Sequence, residues 1–302
     1  MSRRIIYFIN PVAGTGNKKK LLRLIREKTA ANDIPFEILH TNAEGDYYFL
    51  KDKISQDNVT DIVVCGGDGT INQVASALID EAVNIGIIPM GSGNGLALGA
   101  GIPLNPARAL ALVFNGKASY VDAFYINSTF SCMLCGLGFD AQVAHNFAQQ
   151  RRRGLITYAQ QTIAHFFSAK PYAFDIVNQG KSFHTSAYFI SIANSNQFGN
   201  RFTIAPRASL SDGLLDVVVV KKMSKLKMLW AVFKQIRRGE VQEYSKLSVQ
   251  HRDVLYFQTP RLIIHNLEGA PLHVDGDPAN TARKFSIQVL PQAFKLIQPV
   301  KN

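Results

Sequence analysis

The chain has 302 residues, 47% of them hydrophobic and 18% charged, which excludes a disordered or fibrous polymer and allows two separate cores. A formal net charge of +11 predicts an anionic partner: nucleic acid, a phosphate-bearing ligand or an acidic membrane surface. Three cysteines are too few for a disulfide framework, and no apolar run approaches the roughly 20 residues of a membrane span.

The opening MSRRIIYFINP reads as a first strand, not a signal peptide, because Asn10 and Pro11 interrupt its short apolar run. Further β-rich runs follow at FEILH, DIVVCGG and NIGIIPM, separated by helical patterns at NKKKLLRLIREKTAAN, EGDYYFLKDKIS and TINQVASALIDEA, with NPARALALVFNG after the fourth strand. This alternation predicts a parallel sheet with crossover helices, an α/β domain over residues 1–122. After Asp122 the pattern turns to strands, from SYVDAFYINSTFSCMLCGLGF to KFSIQVL, which predicts a second, mainly antiparallel domain over 123–291. Helical stretches are expected near 154–168 and 224–238. Cys132 and Cys135 form a C-x-x-C without a second pair at zinc spacing, inside what reads as a buried strand.

Three loops at the ends of first-domain strands are rich in glycine: NPVAGTGN, GGDGT and PMGSGNG. In a parallel α/β domain ligands bind outside the carboxyl ends of the strands, and glycines there let backbone N–H groups approach phosphate oxygens. Neither the P-loop nor the G-x-G-x-x-G order is present. Thr70 heads its helix, where a hydroxyl suits a phosphate and equally suits an N-cap. Asp68 is the odd member, since a carboxylate in a phosphate cradle calls for a bridging metal or an acceptor hydroxyl. A purely structural role is the weaker expectation.

NPVAG, GGDGT followed by INQV, PMGSGNGLA, GLGFDAQVA, SDGLLDVVVV and VDGDP occur in an order and approximate spacing that resembles the diacylglycerol kinase catalytic family, over nearly the whole chain. The resemblance implies an ATP-dependent lipid kinase with an α/β nucleotide domain, a C-terminal antiparallel β-sandwich lipid domain, and a tail over 292–302 that packs back on the first domain. By motif match the ATP contacts are Asn10, Thr41, Gly66, Gly67, Asp68, Gly69, Thr70, Ile71, Asn72, Ser92 and Asn94, with Mg2+ as the second cofactor. Asp68, Asp275 and Asp277 are the catalytic carboxylates the resemblance implies, and which of them is the base stays open. Most members read DGE where this chain has Asp275-Gly276-Asp277. Other departures are Gly95, where many bacterial members carry an aspartate, and Gln73, where the family has glutamate. In those members that aspartate is tied into a magnesium network, and the resemblance implies Asp122 in its part of that network. Ser209 and Leu214 through their carbonyls, and Asp212 through its carboxylate, match a second, structural magnesium site, with Asp216 nearby. Asp140 matches a lipid-head contact of sphingosine kinases.

A lipid substrate implies work at an anionic membrane surface, by a cytoplasmic protein with transient membrane association. The basic run QQRRRG at 149–154 and the helix-like MSKLKMLWAVFKQIRRG from Met223 are candidates for that contact. No nucleic-acid module is recognised, and self-association is left open. The expected acceptor is diacylglycerol or a related glycerolipid, with a sphingoid base second. The alternatives are an NAD kinase and a catalytically degenerate lipid-binding or regulatory protein.

Overall fold

The computed structural model describes residues 3–14, 18–42, 44–148, 169–197, 205–224 and 253–300. The expected helices near 154–168 and 224–238 and the basic run at 149–154 lie outside the described residues, apart from Ser224. The chain divides into two compact units, Met1–Asp122 with Gln292–Asn302, and Ala123–Pro291.

The first unit alternates β1 (Ile5–Ile9), α1 (Lys18–Ala30), β2 (Phe36–His40), α2 (Phe49–Asp57), β3 (Asp61–Gly66), α3 (Asp68–Ala77) and β4 (Asn84–Pro89). Helices α4 (Gly95–Gly99) and α5 (Pro106–Asn115) follow, then β5 (Lys117–Ile126), in which the first unit ends. The strands pair in the order β2-β1-β3-β4, all parallel. Every residue of β1 and β3 is buried, which is why these segments read as unbroken apolar runs: a parallel sheet is covered on both faces. Leu21 and Ile25 of α1, Ile71 and Val74 of α3, and Ala109, Leu110 and Val113 of α5 supply buried helix faces. Asn105 caps α5 by accepting from the Ala107 and Arg108 amides, with Pro106 in the first turn. Tail residues Lys295 and Leu296 pair in parallel with Asn84 and Ile85 of β4.

At the amino ends of these strands, buried Asp61 accepts from Arg3 through both oxygens, at 2.9 and 3.1 Å, and from Thr60 and Asn84. Arg3 also donates to the Val113 and Phe114 carbonyls at the end of α5. The ion pair thus ties the sheet to a helix terminus that would otherwise leave carbonyls unmet.

The second unit contains β6 (Thr129–Ser131), β7 (Leu134–Gly138), α6 (Phe139–Ala148), β8 (Tyr172–Asn178), β9 (Lys181–Ala193) and β10 (Leu215–Lys221). β11 (Val254–Thr259), β12 (Arg261–Asn266), β13 (Leu272–Val274), β14 (Asp277–Ala279) and β15 (Lys284–Gln298), which from Gln292 on belongs to the first unit, complete the order. All its strand pairs with a defined register are antiparallel. β9 serves two layers: Lys181–Ala187 pair with β8, while Phe189–Ala193 pair with β7 and β10. Phe174, Ile176, Leu262, Ile264, Phe285 and Ile287 meet Leu137, Ile190, Ile192, Val217 and Val219 in one apolar core. The fold is therefore an α/β parallel sheet followed by an antiparallel β-sandwich.

α6 was not expected so early. The GLGF segment ends its strand at Gly138, whose φ of +97° and close approach to the Tyr188 carbonyl exclude a side chain, and the chain turns into helix at Phe139.

Candidate functional site

Because β1 to β4 are parallel, the turns after them share one edge of the sheet, and the residues matched to ATP contacts gather there. Asn10 organises the first turn: its Oδ1 accepts from the Val12 and Ala13 amides, and its Nδ2 donates to Thr70 Oγ1 at 2.8 Å. The Thr41 amide donates to the Ile9 carbonyl. The second and third turns touch glycine to glycine. A Cβ on Gly91 would lie 2.7 Å from Gly67 Cα, closer than real side chains come to backbone. Asn94, at φ +50°, accepts from the Gly91 amide and donates to the Gly91 carbonyl, both at 2.8 Å, closing the third turn on itself.

α3 starts at Asp68, with Gly67 as its N-cap position. Thr70 therefore lies inside the first turn and does not cap the helix; its hydroxyl is the acceptor for Asn10. Asp68 also differs from expectation. Its carboxylate accepts from the Gly95 and Leu96 amides at 3.1 and 3.3 Å, at the start of α4. Backbone donors at a helix start thus supply compensation for this carboxylate besides a bridging metal or an acceptor hydroxyl. Asp68 thereby clamps the third turn to the second. Asp122, also in the first unit, accepts from the Gln292 amide at 2.8 Å.

In the second unit the DGD segment is a two-residue hairpin turn between β13 and β14, with Val274 opposite Asp277. Asp275 and Gly276 both have positive φ, +50° and +89°, the pattern of a type I′ turn. The two carboxylates of that turn are not equivalent. Asp275 is buried, and its Oδ1 accepts from the Ser131 hydroxyl at 2.6 Å and from the Met133 and Leu134 amides, while Oδ2 accepts from the Cys132 amide. Its own amide donates to the Leu134 carbonyl. Asp275 is thus the anchor of the β6–β7 turn, and a role as base, left open by the sequence, conflicts with so full a set of donors. Asp277 is exposed at the start of β14.

Asp140 stands in the first turn of α6, its Oδ1 on the Ala141 amide and its Oδ2 3.4 Å from Nε2 of His273. His273 is fully buried and is not among the residues singled out in the sequence; its place in β13, two residues before the Asp275 turn, was the available signal. Cys132 and Cys135 are buried, and burial pushes the Cys135 thiol well above its ordinary value.

Residues 209–214 form an oxygen-rich turn that leads into β10 at Leu215 and Asp216. Asp212 Oδ1 accepts from the Leu214 amide at 3.1 Å around Gly213, whose φ is +72°. Asp216 is fully buried; Oδ2 accepts from Gln258, and Oδ1 has no hydrogen-bond partner. Burial pushes its carboxyl up to about 7. Among the described residues no three His, Cys, Asp or Glu side chains cluster as a metal site, and no helix is long and apolar enough to cross a membrane.

Residues 4–126 match the diacylglycerol kinase catalytic domain, and residues 134–298 match the YegS C-terminal NAD kinase beta sandwich-like domain. The chain belongs to the diacylglycerol kinase family. Similar lipid-kinase relatives include a "Probable lipid kinase YegS-like" of Shewanella frigidimarina, 28% identical over 83% of this chain and 80% of that protein. The "Diacylglycerol kinase" of Bacillus subtilis is 26% identical over 91% of this chain and 89% of its own length. A crystal structure of a diacylglycerol kinase from Bacillus anthracis superposes with a TM-score of 0.76, covering 99% of this chain and 97% of that one at 21% identity. Diacylglycerol kinase family membership places this chain among the lipid kinases.

Proposed function

We propose that this lipid kinase transfers the γ-phosphoryl group of ATP, with Mg2+, to the hydroxyl of diacylglycerol or a closely related glycerolipid. The observation that carries the reading is the interlocked phosphate edge. Asn10 holds Thr70, Asp68 holds Gly95 and Leu96, and Gly67 abuts Gly91, so three turns present backbone at the carboxyl ends of parallel strands. Phosphoryl transfer depends on positioning and charge stabilisation more than on covalent chemistry. A cradle held by side chains that also carry hydroxyl and carboxylate groups suits that task.

Asn10, Thr41, Gly66 to Asn72, Ser92 and Asn94 bind the nucleotide in this scheme. When bound, Mg2+ neutralises charge on the phosphate oxygens; Asp68 is the carboxylate of the first unit that serves it. Asp277, exposed beside the anchored turn, takes the proton of the acceptor hydroxyl, and Asp275 positions it. Asp140 meets the polar head of the acceptor. The 209–214 turn suits a hard cation by donor type, with the Asp212 carboxylate and the Ser209 and Leu214 carbonyls. The unmet Asp216 Oδ1 beside it agrees with an oxygen-seeking occupant. The excess of basic residues suits catalysis at an anionic membrane surface.

The test is transfer of labelled γ-phosphate from ATP to mixed micelles containing diacylglycerol, monoacylglycerol, phosphatidylglycerol, sphingosine or ceramide, with NAD as control. Labelled diacylglycerol product, abolished in Asp68→Asn and Asp277→Asn, is the expected result. Nucleotide binding with every lipid unlabelled would replace this reading with a non-catalytic one, and a labelled NAD would replace the substrate class.

A further inference from the structure

β13, β7, β9, β10 and β11 are joined in register, so His273, Gly136, Ser191, Val218 and Tyr256 lie in one row across the sheet. Residues directly opposite in antiparallel pairs share a face. This row lies on the face away from the apolar core, whose members alternate with it: Leu272 and Val274, Cys135 and Leu137, Ile190 and Ile192, Val217 and Val219. The row is nonetheless buried, and a fully buried imidazole on it requires a polar account.

Gly136 supplies the space. A Cβ at that position would overlap Asp140 Oδ2 and stand 2.5 Å from His273 Nε2, so the absence of a side chain on β7 lets the His–Asp pair close over the strand. Each nitrogen of the ring has a different neighbour. Nε2 faces Asp140 Oδ2, and Nδ1 faces the amide of Gly276, both at the long distance of 3.4 Å. A backbone amide can only donate, so Nδ1 is the acceptor and the proton sits on Nε2, directed at the carboxylate. One imidazole therefore bridges the first turn of α6 to the middle of the DGD turn. His145, later on α6, adds a second tie through Nε2 and the Leu272 carbonyl at 2.8 Å.

We propose that His273 is a positioning residue of the transfer reaction, using its Nε2–H to fix Asp140 for the acceptor head and its Nδ1 to fix Gly276, and with it Asp277, for the proton. The inference rests on the function proposed above, in which Asp140 meets the head and Asp277 takes the proton. A histidine in this place is more than a packed side chain because its two nitrogens serve two separate steps, binding and transfer.

The two bonds can be separated chemically. In His273→Asn the side-chain oxygen can stand near the position of Nδ1 and nothing reaches Nε2; in His273→Gln the amide nitrogen can stand near Nε2 and no acceptor faces Gly276. The expected result with lipid acceptor is that His273→Asn raises KM about 10-fold at nearly unchanged kcat. His273→Gln is expected to lower kcat about 10-fold at nearly unchanged KM, the size of one lost hydrogen bond. Equal kinetic losses in both variants, or none, would overturn the division of labour.

A second readout needs no activity. The ring 15N shifts of His273 in the wild-type protein are expected to report a proton on Nε2, and the Gly276 amide is expected to lose exchange protection in His273→Gln but keep it in His273→Asn. A proton on Nδ1, or unchanged protection in His273→Gln, would refute the bridge even if no lipid were ever phosphorylated. If the wild-type chain labels no lipid while these two signatures hold, the proposed function fails and the bridge between α6 and the turn stands.

Discussion

Replacing Asp275 by asparagine separates anchoring from proton transfer. Asparagine has nearly the same shape and tolerates the φ of +50° at this position, so the change acts on hydrogen bonding alone. The carboxylate accepts from Ser131 Oγ, Met133 N and Leu134 N through one oxygen and from Cys132 N through the other. An amide oxygen keeps the first group, with the charge assistance gone. The amide NH2 then faces the Cys132 N–H, donor against donor. Losing one charge-assisted bond and leaving a buried donor unmet costs about 2–4 kcal/mol, which for a unit of this size lowers the melting temperature by roughly 5–15 °C. Calorimetry with residue-resolved exchange at Cys132 to Leu134 is the assay, alongside transfer kinetics normalised to folded protein. The expected outcome is a marked loss of stability and of protection in the β6–β7 turn, with kcat within about 10-fold of wild type. An unchanged melting temperature with kcat down by more than about 1,000-fold would show that Asp275 is the base and that the anchoring argument is wrong.

Gly91→Ala would force the second and third turns apart, since its Cβ meets Gly67 Cα at 2.7 Å and Asn94 Oδ1 at 3.0 Å. The expected result is a loss of about 1–3 kcal/mol of stability with nucleotide affinity reduced at least about 10-fold, read by calorimetric titration with a non-hydrolysable ATP analogue; full affinity would deny these turns a part in binding. Asp216 gives a pH signature in chelator. Its folded value of about 7 lies above the ordinary carboxylate value near 4, so the folded state binds the extra proton between them. The stabilisation is complete below about pH 4, declines as pH rises, and is gone above about 7, a total of about 4 kcal/mol. Asp216→Asn is expected to remove this decline from chemical denaturation curves between pH 5 and 8. A slope unchanged in the variant would place the titration elsewhere.

The parts of the fold that were legible in the sequence are those set by local pattern. β1 and β3 are buried throughout and read as strands; glycine turns mark where they end; Asn105-Pro106 announces α5. The Asp-Gly pair in VDGDP was readable as a tight hairpin because few other residues accept positive φ at both turn positions. What could not be read is the use each carboxylate makes of distant backbone. Asp68 finds its donors 27 and 28 residues on, and Asp275 finds Ser131 144 residues earlier. No periodicity carries such pairings, because they depend on which turns the folded sheet brings side by side.

The same physics underlies the different roles proposed for the three conspicuous aspartates. A carboxylate enclosed by a hydroxyl and three backbone N–H groups is held as a brace; one exposed on the solvent side of the same turn is within reach of a ligand. Asp275 and Asp277 sit two residues apart and differ in just this respect. The shorter side chain at 277, where most of the family has glutamate, then puts more weight on the backbone that carries it. In the proposed scheme a base with one methylene less reach must be held where it is needed, and the buried His273, which accepts from the Gly276 amide, is the group proposed to hold it. On this argument the departure at 277 and the histidine at 273 belong together. Asp277→Glu in the wild-type background should therefore make kcat less sensitive to His273→Gln, and an undiminished effect of His273→Gln in the double variant would break the link between them.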